Sequence, residues 1–82
     1  MAEELQAGIY RHYKGHHYLV LGRAADSSIP GRSVVVYVGL ELEGASPGPR
    51  MHVREYEEFF SWVSHKGKHR RRFTYVGPNW DG

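Results

Sequence analysis

The stretch GIYRHYKGHHYLVLGRA, Gly8 to Ala24, decides the fold. Read with a period of two, Ile9, Arg11 and Tyr13 share one face of a strand from Gly8 to Tyr13, and Tyr10 and His12 share the other. Lys14-Gly15 is the turn, because Gly15 can adopt a positive φ without steric cost. His17 to Ala25 follows as a second strand. It is apolar on both faces (Tyr18 and Val20; Leu19 and Leu21), which predicts cover on both sides. The polar-aromatic strip is therefore a hairpin first and a candidate ligand surface second.

Outward from this hairpin, Asp26 to Arg32 reads as a loop by composition. Ser33 to Leu42 carries two β-rich stripes: Val34, Val36, Val38, Leu40 and Leu42 on one side, Val35, Tyr37, Gly39 and Glu41 on the other. Gly39 reads as a bulge or a close approach by another backbone. Glu43 to Arg50, EGASPGPR, is a loop, and Arg50 to Arg54 a short strand. Glu55 to Phe59 or Phe60 predicts one or two helical turns, with acidic residues where the helix dipole favours them but without a capping side chain. Ser61 to Ser64 and His69 to Val76 predict a closing hairpin around Lys66-Gly67. Gly77 to Gly82 is a tail that Trp80 can anchor.

These elements predict a mainly β domain: a small SH3-like, barrel-like antiparallel sheet with one short helix before the last hairpin. Residues 1–82 form a single domain, its core at about 8–76, with flexible or docking termini on either side. Eighty-two residues make a thin core; such a chain buries roughly two-thirds of its unfolded surface, so self-association into a homo-oligomer is expected to help it. No cysteine is present, which excludes disulfides and thiolate chemistry and is compatible with a cytoplasmic setting. No apolar run approaches the ~20 residues of a membrane span, and MAEELQA lacks a signal-peptide core.

GIYRHYKGHHYLVLGRA, VVYVGLE, HVREYEEFF and RRFTYV together resemble the bacterial and phage family called domain of unknown function 1653. Its pattern opens Gly-x-Tyr-Arg-His-aromatic-Lys-Gly, continues through a Tyr-x-Val-Leu strand and a Val-Val-Tyr strand, and ends Arg-Phe. The resemblance covers Gly8 to Val76. The chain departs from the pattern at Asp26-Ser27-Ser28, where the family's polar loop carries His and Glu. It departs again at Met51-His52, Glu55 and Arg71, where Trp, Pro and Pro are usual. The resemblance implies the fold and the strand alignment. It implies no chemistry. Its phage setting suggests a protein that sequesters a nucleotide signal without cleaving it.

Four candidate sites follow from the residues. Tyr10, Arg11, His12, Lys14, Tyr37, Arg54 and Arg72 compose an anion site, with arginine forks for phosphate or carboxylate and tyrosine rings to stack on. The bland alternative is a strand surface of cross-strand pairs and covering arginine stems. The hairpin HKGKHRRRF supplies Lys66, Lys68, Arg70 and Arg71 to RNA or DNA phosphates, or simply a solvated turn balancing Glu55, Glu57 and Glu58. His12, His16 and His17 make a poor metal set, because neighbours on a strand point to opposite faces. Ser27, His52 and Glu55 form a hydrolytic set on paper only; no nucleophile elbow or phosphate loop supports it. The leading expectation is a non-catalytic module binding an anionic small molecule, a nucleotide foremost, with no cofactor and no metal. RNA or DNA binding through residues 65–72 is the alternative. A protein-interaction role for Trp62, Phe60 or an open sheet edge is the third reading.

Overall fold

The computed structural model describes residues 4–41 and 50–81. The end of the third predicted strand at Leu42 and most of the EGASPGPR loop lie outside the described residues. Among the described residues, seven strands and one helix follow in order: β1 (Gly8–His12), β2 (His17–Ala25), β3 (Ser33–Gly39), β4 (Met51–Glu55), α1 (Tyr56–Phe59), β5 (Trp62–His65), β6 (Lys68–Arg71) and β7 (Phe73–Gly77). Five strands form one antiparallel sheet in the order β4-β3-β2-β1-β7, and β5 pairs with β6 alone. The architecture is thus mainly β with a short helix before the last hairpin, as the patterning predicts. The sheet rolls toward a barrel but stays open between β4 and β7. No helix of the described residues is long and apolar enough to cross a membrane.

The first hairpin pairs Tyr10 with Tyr18 and Arg11 with His17. Its turn is closed by the Gly15 amide donating to the His12 carbonyl at 2.8 Å, with Gly15 at φ 108°. The bulge in the β2–β3 ladder falls at Leu21, between Val20 and Gly22, and not at Gly39, which pairs with Tyr18 at the other end. A Cβ on Gly39 would meet only the Tyr18 ring, at 3.7 Å, an ordinary contact. Cover on both faces of β2 is not what the fold delivers. Val20 is 1% exposed on the inner face, whereas Leu21 is 50% exposed, because the bulge turns it out of the ladder.

The core sits on the inner face, where Tyr10, Val20, Val35, Tyr37, Tyr56, Phe59 and Phe73 pack together. The helix is only one turn. It carries no side-chain cap, but Tyr56 and Phe59, three apart, both point into this core. Burial of that face, rather than intrinsic helix propensity, holds it.

The predicted last strand, His69 to Val76, divides at Arg72. Lys68–Arg71 turns back on Trp62–His65, with Trp62 opposite Arg71. Phe73–Gly77 instead joins β1, pairing Phe73 with His12 and Tyr75 with Tyr10. The reason is the difference in what each half can bury. The hairpin offers no buried residue, whereas Phe73 is 3% exposed and enters the main core. Arg72 is the hinge: its amide donates to the Ser61 carbonyl at 2.8 Å, and its carbonyl accepts from Tyr13 at 3.0 Å.

Candidate functional site

Rolling the sheet carries side chains of its two unpaired edges together. Arg54, on edge strand β4, holds its guanidinium 5.8 Å from the ring centre of Phe73, the first residue of edge strand β7. Arg54 Nε donates to the Tyr37 hydroxyl at 3.3 Å, and Nη1 donates to Glu58 at 2.6 Å. Strand alternation explains the meeting: Arg54 and His52 share the inner face of β4, opposite Val35 and Tyr37 of β3.

Around this guanidinium stand rings. Tyr18 lies 5.3 Å from Tyr37 and 5.8 Å from Phe73, and His52 lies 5.5 Å from Tyr37. His12 stands 4.9 Å from Phe73, edge-on, and 6.4 Å from Tyr18. Burial pushes the His12 imidazole down to about 4, with Arg54, Arg72, Lys14 and His16 adding to the shift. Its Nδ1 accepts from the Lys14 amide at 3.2 Å. His12 is therefore neutral near pH 7 while cations surround it. Arg72 is held by its Nε donating to Ser61 Oγ at 3.1 Å. Burial raises the Tyr18 phenol, with Tyr37 contributing. Arg54 is held above its ordinary value: burial opposes the charge, and Tyr37 and Glu58 more than offset that.

Of the anion-site residues, His12, Lys14, Arg54 and Arg72 gather here, together with the Tyr37 hydroxyl; the Tyr37 ring, 5% exposed, is part of the core and offers no face to stack on. Two do not. Tyr10 is 3% exposed within the core, its hydroxyl donating to the Gln6 carbonyl at 2.8 Å, so its faces are covered by protein. Arg11 sits one residue off His12 and therefore on the opposite, outer face, where it pairs with Thr74 and His17. Tyr18, His52, Phe73, Glu58 and Ser61 belong to the site although the motifs did not mark them. Tyr18 had a signal, since an antiparallel hairpin turning at Lys14-Gly15 brings it opposite Tyr10 and beside His12. Phe73 had none, because its placement depends on the strand switch.

Of the three hairpin histidines, His16 and His17 meet at Glu41 instead of pointing to opposite faces, because His16 precedes β2 and strand alternation does not govern it, while His12 stands apart in the inner-face site. His17 takes Glu41 through both its amide, at 2.7 Å, and Nδ1, at 2.6 Å, and His16 approaches the same carboxylate at 3.7 Å. The His17 bond holds the Glu41 carboxyl below its usual range. His52 packs against tyrosines, and Glu55 faces Arg32 at 3.5 Å. Three residues apart on one strand, these two point to opposite faces, so Ser27, His52 and Glu55 do not form a relay.

The family pattern described as "Protein of unknown function (DUF1653)" matches residues 8–75. The chain belongs to this DUF1653 family. A crystal structure of a DUF1653 protein from Bordetella bronchiseptica is similar over 100% of both chains, at 34% identity and a TM-score of 0.85. Comparison with curated proteins finds no match. Membership of DUF1653 carries the fold and leaves the chemistry to be argued from the residues.

Proposed function

We propose that this DUF1653 domain binds an anionic small molecule carrying a flat ring, a nucleotide foremost, and releases it chemically unchanged. The observation that carries the reading is Arg54 bonded to Tyr37 and lying over Phe73, with Arg72 and Lys14 near a neutral His12. Guanidinium forks favour phosphate oxygens, and the rings of Tyr18 and His52 favour a planar base. Glu58 pairs with Arg54, so an incoming anion competes with that carboxylate. This exchange lets Arg54 stay compensated before the ligand arrives. No step of bond making is assigned, which suits sequestration of a nucleotide signal, in a phage or in its host.

Self-association forms part of the same proposal. The open β4 edge exposes Met51 (59%) and Val53 (64%), and light scattering reads the subunit count. The deciding experiment incubates the protein with a panel of nucleotides, washes it, and recovers ligand after heat denaturation. Intact ligand supports a sequestering binder. Altered ligand makes the domain an enzyme, and an empty protein removes the nucleotide reading.

A further inference from the structure

The net charge of +2 conceals a strong segregation. No acidic residue occurs between Glu58 and Asp81, an interval that holds Lys66, Lys68, Arg70, Arg71 and Arg72. None occurs between Glu4 and Asp26 either, an interval that holds Arg11, Lys14 and Arg23. The fold places these two acid-free segments side by side: Tyr13 bonds Arg72 through the backbone, and its ring stands 5.1 Å from that of His65.

Between them lies a cleft of about 290 Å³ that adjoins the inner-face site, sharing His12 with it and bordered by Tyr13, but is not lined by Arg54. Arg11 and Thr74 contribute from β1 and β7, and Trp62, His69, Arg70 and Arg71 from the hairpin; no carboxylate lines it. Within the hairpin, alternation divides the cations between two faces. Arg11, reaching in from β1, completes the positive wall. Trp62 is 58% exposed, and the Arg71 guanidinium lies 4.6 Å from its ring centre. Arg71 Nη1 also donates to the Phe60 carbonyl, which holds the guanidinium beside the indole, and the His69 ring stands 6.3 Å from it. An exposed indole beside arginines is a stacking platform for an unpaired base.

We infer that this cleft binds single-stranded nucleic acid, one base stacking on Trp62 and phosphates meeting Arg11 and Arg70. The volume suits about one nucleotide unit. Lys68 shares the Arg70 face of β6 and continues its positive charge, two residues or about 7 Å further along the strand. That extension favours a chain of phosphates over a lone nucleotide. A duplex keeps its bases stacked on one another and offers Trp62 no open face.

Fluorescence anisotropy with a labelled oligothymidylate of about ten nucleotides, on the full chain, tests the inference. Binding is expected at about 50 mM salt, with a steep loss by about 200 mM. Trp62→Ala is expected to weaken it about tenfold, Trp62→Phe to retain most of it, and Lys68→Glu with Arg70→Glu to abolish it. Arg54→Met should leave it unchanged, which separates this cleft from the inner-face site. Thermal melting checks that each variant folds, and the exposed Trp62 tolerates both replacements. No binding at low salt, equal binding by Trp62→Ala, or equal affinity for a duplex or for thymidine monophosphate overturns the inference.

Discussion

The ring of Phe59 lies flat on that of Phe73, 4.1 Å between centres and 8° between planes. This contact joins the single helical turn to the strand that leaves the hairpin. Phe59 is fully buried, and Phe73 also meets Tyr37 at 5.3 Å. Replacing Phe73 with alanine should remove about 3–5 kcal/mol. A domain of this size holds only about 4–12 kcal/mol in all. Urea denaturation should therefore show a collapse of the midpoint, whereas Phe60→Ala, half-buried at the margin, should shift it less.

Arg54→Met tests the inner-face site. The methionine keeps an apolar stem against Phe73 but removes the charge and the bond to Tyr37. Thermal stability should change little, because the Glu58 partner is exposed and surface pairs contribute about 1 kcal/mol or less. Affinity for a retained nucleotide, read by calorimetry, should fall roughly tenfold to a hundredfold. Unaltered affinity would remove Arg54 from the site.

His12 makes stability depend on pH with a definite sign. Its folded value, about 4, lies below the 6.5 of the unfolded chain. As pH falls below 6.5 the unfolded chain takes up the proton first, so stability declines between 6.5 and about 4 and no further from this group below that. His12→Gln should flatten that segment of a stability-against-pH curve. An anion bound among Arg54, Arg72 and Lys14 offsets their charge, so the His12 ring signals in NMR should titrate at higher pH with ligand than without.

The tip of the second hairpin is a separate lever. Lys66 (φ 53°) and Gly67 (φ 76°) both lie in the left-handed region, the geometry of a type I′ turn. A Cβ on Gly67 would meet nothing within 4 Å, so Gly67→Ala suffers from backbone conformation alone. It should cost about 1 kcal/mol or more. Lys66→Asn should raise the melting temperature, since asparagine tolerates this region better than lysine.

Local patterning was sufficient for the elements whose partners are near in the chain. Gly8 to Ala25 reads directly as a hairpin, because alternation and a turn glycine act within a few residues. The inner stripe Val35 and Tyr37 was legible for the same reason. Arg54 could be named as an anion ligand from its residue type, but its hold on Tyr37, 17 residues away in the chain, requires β4 to pair with β3. Tyr10 and Arg11 illustrate the limit. Both have the right chemistry, yet one fills the core and the other faces outward, and a list of residue types does not separate them.

By itself the sequence determined the first hairpin, the strands as far as the helix, the two turns and the absence of thiol chemistry, because these follow from period, φ and composition. Tertiary structure alone decided that the last strand breaks at Arg72, since burying Phe73 against Phe59 outweighs continuing a solvated hairpin. That break brings β7 onto β1, sets Phe73 beneath Arg54, and leaves Trp62 standing beside Arg11. Both candidate sites are consequences of that long-range burial, which no local pattern encodes.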